Sequence, residues 1–264
     1  MEKLTAIGLM SGTSMDGIDI ALLRSDGVTI AERGPFLFAP YEPDFRKRLA
    51  ASLDTAKSIE ERSQRPGDLA QVEMELTELH ANAVARFLSQ HDLRAKEIDL
   101  IGFHGQTVLH RAPQKGRNGQ TLQIGDGAAL ARATGIAVAF DFRSADVDMG
   151  GQGAPLATLY HDALAHQSGL DCPLAILNLG GVANVTWLAP DADPVAFDTG
   201  PANGLIDAWC QHRVGQPYDR GGQLAARGEV DPGALEVEAT LRHIRQASPR
   251  RRGMTQALIA AMSP

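Results

Sequence analysis

Ile7-Gly8-Leu9-Met10-Ser11-Gly12-Thr13 opens the first structured segment of the chain, and Leu177-Asn178-Leu179-Gly180-Gly181-Val182-Ala183-Asn184 repeats its pattern about 170 residues later. Each is an apolar strand run, a turn built on glycine and a returning apolar strand. The first return carries Ile18, Ile20, Leu22 and Leu23; the second covers residues 183–188. That separation is far too long for a solenoid repeat. A duplicated fold is the better reading: two lobes, each opening on a glycine-turned β-hairpin, with a cleft between them that brings both turns together.

Beyond these two hairpins, strands are expected near residues 28–32, 99–103, 121–124, 136–140 and 195–197, and helices over 44–53, 68–90, 127–134, 155–166, 201–212 and 233–246. The 68–90 helix places Leu69, Val72, Leu76 and Leu79 on one face. Strands alternating with helices predict an α/β protein.

Composition narrows the function. The 264 residues hold 25 Lys+Arg against 32 Asp+Glu, a net charge of −7, which argues against a protein that must neutralise nucleic-acid phosphates. Hydrophobic residues at 44% are ample for a core. Two cysteines, Cys172 and Cys210, make neither a disulfide framework nor a zinc finger, and fit a reducing, cytoplasmic setting. No window approaches the ~20 apolar residues of a membrane span, and the N-terminal stretch lacks the pattern of a signal peptide. The eight histidines show no metal-binding spacing, so no dedicated metal site is expected.

The residues able to do chemistry sit at turns and strand ends. Ser11-Gly12-Thr13-Ser14-Met15-Asp16-Gly17 offers close backbone approach and hydroxyl donors to a phosphate chain, although a plain hairpin turn uses the same residue types. It is neither a Walker loop nor a G-x-G-x-x-G turn. Asp198 follows the apolar run Val195-Ala196-Phe197 and precedes Thr199-Gly200-Pro201, where Pro201 fits the first position of a helix. A carboxylate there can act as a general base or as a turn and capping residue. His104-Gly105-Gln106-Thr107 follows a buried strand and reads as a hydroxyl-binding strand end or as a structural histidine. Arg143 can fork onto a carboxylate or pair internally with Asp141 or Asp146.

Taken together, these motifs resemble the anhydro-N-acetylmuramic acid kinase family. The matching runs are residues 8–19, 104–107, 122–125, 141–143, 150–156, 178–186 and 197–201, within a likeness that covers about residues 4–228. The resemblance implies an α/β, two-lobed actin-like (ribonuclease H-like) ATPase fold. A first lobe would cover residues 1–140, with a linker region and second lobe over 141–264. It implies ATP with Mg²⁺, and a phosphotransferase with an alcohol acceptor that converts 1,6-anhydro-N-acetylmuramic acid and water to N-acetylmuramic acid 6-phosphate in peptidoglycan recycling. Asp198 matches the family's catalytic aspartate. Ser11, Gly12, Thr13, Ser14, Met15, Asp16, Gly17, Ile18 and Asp19 match its ATP phosphate loop, with Gly180 and Gly181 as a second clamp. His104, Arg143, Gln152 and Asn203 would contact the sugar. The implied partners are the sugar and ATP, with no nucleic acid or membrane; homodimer formation stays open.

Two departures stand out. Ala202 replaces a glycine that the family usually carries after the catalytic aspartate. The family's late triple-glycine adenine-site motif and distal acidic segment are not found here. On this resemblance the second lobe is incomplete, truncated at its C-terminal side, and ATP binding weaker than in a longer relative. The competing expectations are a non-catalytic sugar-binding remnant and a related actin-like kinase for another amino sugar.

Overall fold

The computed structural model describes residues 2–111, 113 and 118–233. All but the first residue of the helix expected over 233–246 lies outside them, as does the basic run Arg250-Arg251-Arg252. Contacts divide the chain into two compact units, one of Met1–Leu174 with Trp187–Val195, the other of Ala175–Thr186 with Ala196 onward.

The first unit is built on one mixed sheet. Its strands are β1 (Leu4–Ser11), β2 (Gly17–Ser25), β3 (Ile30–Pro40), β4 (Leu100–Arg111), β5 (Gln120–Ile124) and β6 (Val138–Phe140). The order is β3-β2-β1-β4-β5, with β6 also on β4. Strands β1, β2 and β3 form an antiparallel meander, Ile7 standing opposite Leu22. β4 runs parallel to β1, with Ile7 opposite Ile101, and parallel to β6, with Phe103 opposite Phe140. Its later half pairs antiparallel with β5.

Alternation decides which face is buried. Ile7 and Leu9 of β1, Ile18, Ile20 and Leu22 of β2, and Ile101 and Phe103 of β4 enter one core with the helices. Helix α1 (Pro43–Ala56) contributes Phe45 and Leu49, and α2 (Leu69–Gln90) contributes Leu69, Val72, Leu76, Val84 and Phe87. These five α2 side chains are at most 1% exposed, and each contributes about 1.5–3 kcal/mol by burial. The expected apolar face of this helix is therefore present, extended by His80. Helix α3 (Gly127–Thr134) starts where Asp126 accepts the Ala129 N–H at 2.9 Å and stops at left-handed Gly135. Two further helices follow, the five-residue α4 (Ser144–Asp148) and α5 (Thr158–Ser168).

Several boundaries differ from expectation. β3 runs ten residues beyond Ile30, well past the stretch expected for it. α5 begins three residues after Pro155. β4 does not end before His104 but continues through it to Arg111. Gly105 makes that continuation possible: its φ is +67°, and a Cβ there would strike the Ile124 carbonyl.

The second sheet has the order β7-β8-β9, from β7 (Leu174–Leu179), β8 (Val182–Ala189) and β9 (Ala192–Pro201), followed by α6 (Asn203–Val214). Pro201 is the last residue of β9, not the first of the helix; Ala202 stands at the N-cap. Cys210 is the buried residue of α6, while Leu205, Ile206 and Trp209 are exposed. Among the described residues no helix is long and apolar enough to cross a membrane.

Candidate active site

In the first unit, β1, β4 and β6 are parallel neighbours, so their carboxyl ends share one edge of the sheet. In open α/β sheets that edge is where ligands bind. The loop after β1 leaves it there, β4 carries His104 and Gln106 past it, and Asp141 follows β6.

The loop of residues 12–16 is held from three sides. Ser11 is 1% exposed; its hydroxyl donates to Gln106 Oε1 at 2.7 Å and accepts from the Tyr41 hydroxyl at 2.8 Å. Burial pushes the Tyr41 phenol well above its ordinary value, so it remains a protonated donor. The Tyr41 backbone N–H donates to the Asp16 carbonyl at 2.9 Å, and Arg46 Nη2 donates to the Ser14 carbonyl at 3.1 Å. Within the loop, Met15 N–H bonds the Gly12 carbonyl at 3.1 Å, with Met15 at a left-handed φ of 48°. Gly17 closes the loop because any Cβ would collide with the Ala39 carbonyl and the Phe38 ring. Thr13, Ser14 and Asp16 are left facing outward. Ser14 Oγ donates to Asp16 Oδ1 at 2.5 Å. Asp19 sits above the usual carboxylate range, through burial first and the neighbouring Asp16 charge second.

His104 and Arg143 meet on the same edge. His104 Nδ1 lies 2.8 Å from the Gly105 carbonyl, which can only accept, so this nitrogen carries the proton. Nε2 then accepts from Arg143 Nε at 3.2 Å and Nη2 at 2.9 Å. Desolvation, outweighing the Gly105 carbonyl bond and helped by the smaller effect of the Arg143 charge, holds the imidazole below its ordinary pKa and therefore neutral. Arg143 Nη1 also donates to the Gly153 carbonyl. Gly153 N–H donates to Asp146 Oδ2 at 2.6 Å, so the 150–153 loop is gripped from both sides and exposed Gln152 is displayed on it. Asp141 accepts from Ser144 Oγ at 2.5 Å.

Beside His104 lies a polar cavity of about 180 Å³ lined by Arg65, Glu73, Gln123, Asp141 and Ser144, among others. Arg65 forks onto Glu73 at 2.6 and 2.9 Å, and Glu73 Oε1 also accepts the Gly125 N–H at 3.0 Å. Tyr41, Arg65 and Glu73 are absent from the sequence reading. The contacts that place them here span 8 to 52 residues, and no local spacing announces them.

The second unit gathers another group. Gly180-Gly181 is the two-residue connection between β7 and β8. Its carbonyls receive the first N–H groups of the following helix: Asn203 N donates to Gly180 O at 2.9 Å and Ala202 N to Gly181 O at 3.0 Å. The Asn203 amide donates to the Leu179 carbonyl at 2.7 Å. Asp198 is exposed within β9, next to Thr199, whose hydroxyl donates to Ala183 O at 3.1 Å. The segment carrying Asp198 and the glycine turn are thus fastened together.

Among the described residues no group of three or more His, Cys, Asp or Glu is arranged to hold a metal by itself.

Comparison with known proteins bears on the identity of this constellation. An anhydro-N-acetylmuramic acid kinase of Rhizobium etli is 51% identical over 231 residues, 86% of this chain and 61% of its own. One of Methylobacterium nodulans is 51% identical over 242 residues, 88% of this chain and 64% of its own. One of Rhodopseudomonas palustris is 45% identical over 260 residues, 98% and 70% respectively. The chain therefore spans 61% and 64% of the first two relatives' length. The sequence model of the family matches residues 4–257, and the chain belongs to the anhydro-N-acetylmuramic acid kinase family.

Proposed function

We propose that the chain performs the ATP-dependent conversion of 1,6-anhydro-N-acetylmuramic acid and water to N-acetylmuramic acid 6-phosphate, a cytoplasmic step of peptidoglycan recycling, on an actin-like ATPase fold. The observation that carries this reading is the pinned loop of residues 12–16 at the carboxyl edge of the parallel strands, in a chain of this family.

The loop's donor set suits a nucleotide's phosphates. It offers backbone amides of a glycine-bearing turn and the outward Thr13 hydroxyl, joined by Ser14 when its hydroxyl turns from Asp16 to the ligand. Asp16 and Asp19 suit the accompanying Mg²⁺, which is typically held by one or two carboxylates together with phosphate oxygens. Bound there, the cation neutralises phosphate charge. Because Ser11 is buried with its hydroxyl engaged on both sides, its part is to hold the loop while residues 12–16 meet the ligand. Gly180 and Gly181 are assigned to the nucleotide as well.

Asp198 is the general base. It takes a proton from the water that attacks the anomeric carbon. The bond from that carbon to O6 breaks with its electron pair passing to O6, and O6 attacks the γ-phosphorus as ADP leaves. The remaining residues orient the reactants, a contribution that can be large in itself. Arg143, steadied by neutral His104, is assigned to the sugar, with Gln152 and Asn203. Arg143→Ala removes the fork between His104 and the Gly153 carbonyl. The sugar KM is expected to rise about 10- to 100-fold with the ATP KM little changed, as steady-state kinetics against each substrate would reveal.

The deciding experiment is a coupled assay of ADP release with ATP, Mg²⁺ and the anhydro sugar. Release that depends on the sugar supports the kinase. The competing reading is a sugar-binding protein without turnover. Sugar binding by calorimetry with no ADP release would establish that alternative.

A further inference from the structure

We propose that Tyr41 is a positioning residue for the phosphate loop, fastening its entry through Ser11 and its exit through Asp16. The inference rests on the nucleotide reading above.

The direction of each bond is fixed by chemistry. Ser11 has one hydroxyl hydrogen, and it goes to Gln106 Oε1 at 2.7 Å. Ser11 Oγ must then accept from Tyr41, at 2.8 Å. Ser11, Gln106 and Tyr41 are 1%, 2% and 7% exposed, so water does not substitute for a lost partner at no cost. The same tyrosine gives its backbone N–H to the Asp16 carbonyl at 2.9 Å. One residue therefore grips both ends of a five-residue loop. Five positions on, Arg46 holds its middle at the Ser14 carbonyl. The Tyr41 ring is itself set by Phe45, edge-on at 5.0 Å, which stands at the start of α1. The loop contains a left-handed Met15, a conformation that persists only where its surroundings hold it. A phosphate-binding loop works by having its amides aimed before the ligand arrives, and this clamp supplies that aim.

Tyr41→Phe deletes the hydroxyl and keeps the ring on Phe45. In the ligand-free full chain, amide hydrogen exchange of residues 12–16 is expected to quicken about fivefold, with the rest of β1 unchanged. The KM for ATP is expected to rise by a similar factor, with the sugar KM unmoved. Ser11→Ala should behave alike, and the double variant should be no worse than Ser11→Ala alone, because Tyr41 acts through Ser11. Unchanged exchange at residues 12–16, exchange raised equally along β1, or the two KM values moving together would each overturn the proposal. If the parent chain neither binds ATP nor releases ADP, the nucleotide reading fails, while the exchange comparison still decides whether Tyr41 holds the loop.

Discussion

Asp198→Asn is expected to lower sugar-dependent ADP release by about a thousandfold, in keeping with the 10²–10⁴ that a positioned general base contributes. The asparagine amide has the shape of the carboxylate but cannot take up a proton. Asp198 is exposed on β9, so the exchange should cost about 1 kcal/mol of stability or less. Binding of ATP and of the sugar should persist, because the loop of residues 12–16 and Arg143 are untouched. Asp198→Glu keeps the carboxylate and displaces it by one methylene, and an intermediate loss of about 10- to 100-fold is expected. The assay, a thermal melt and a calorimetric titration of each substrate check these points together. If Asp198→Asn retained more than a tenth of the rate, the base would have to be sought elsewhere.

Much of the first unit was legible because its signals are local and periodic. Alternating Ile18, Ile20 and Leu22 announce β2, and the 3.6-residue spacing of Leu69, Val72 and Leu76 announces α2. Helix α3 is bounded by an Asp cap and a glycine stop, and its expected and observed limits coincide. What escaped is set by long-range contacts. His104-Gly105-Gln106-Thr107 reads as the end of a strand because it is polar. β4 nevertheless continues there, since Gly105 takes a positive φ and the strand changes its partner from β6 to β5. Helix α4 has five residues, too few to show a period. Pro201 satisfies the rule for a helix start, yet the carbonyls of Gly181 and Gly180 capture the N–H groups of Ala202 and Asn203 and fix the start two residues later. Among the site residues, Ser11 looks like part of an exposed turn. Only its partners Gln106 and Tyr41, 95 and 30 residues away, turn it inward.

His80 gives the first unit an acid sensitivity of its own. It lies on α2, fully buried, with its ring edge-on to Phe103 at 4.8 Å. Nδ1 donates to the Leu76 carbonyl at 2.7 Å, and Nε2 is buried with no hydrogen-bond partner. Desolvation lowers its pKa to about 4, from an ordinary value of 6.5, and outweighs the Leu76 carbonyl bond, which favours the charged ring. Between those two values the unfolded chain binds a proton that the folded chain refuses. Folding stability therefore falls as the pH drops through 6.5 and stops falling from this source below 4. The span of about 2.5 pH units corresponds to about 3 kcal/mol. His80→Leu keeps an apolar side chain against Phe103 and abandons only a second bond to a carbonyl already within the helix ladder. At pH 7.5 its urea-unfolding free energy should lie within about 1.5 kcal/mol of the parent's. As the pH is lowered to 4 the difference should swing by about 3 kcal/mol in favour of the variant. Carboxylates titrating in both proteins cancel in that difference, so a gap that stays constant from pH 7.5 to 4 would show that the imidazole can charge without leaving the core.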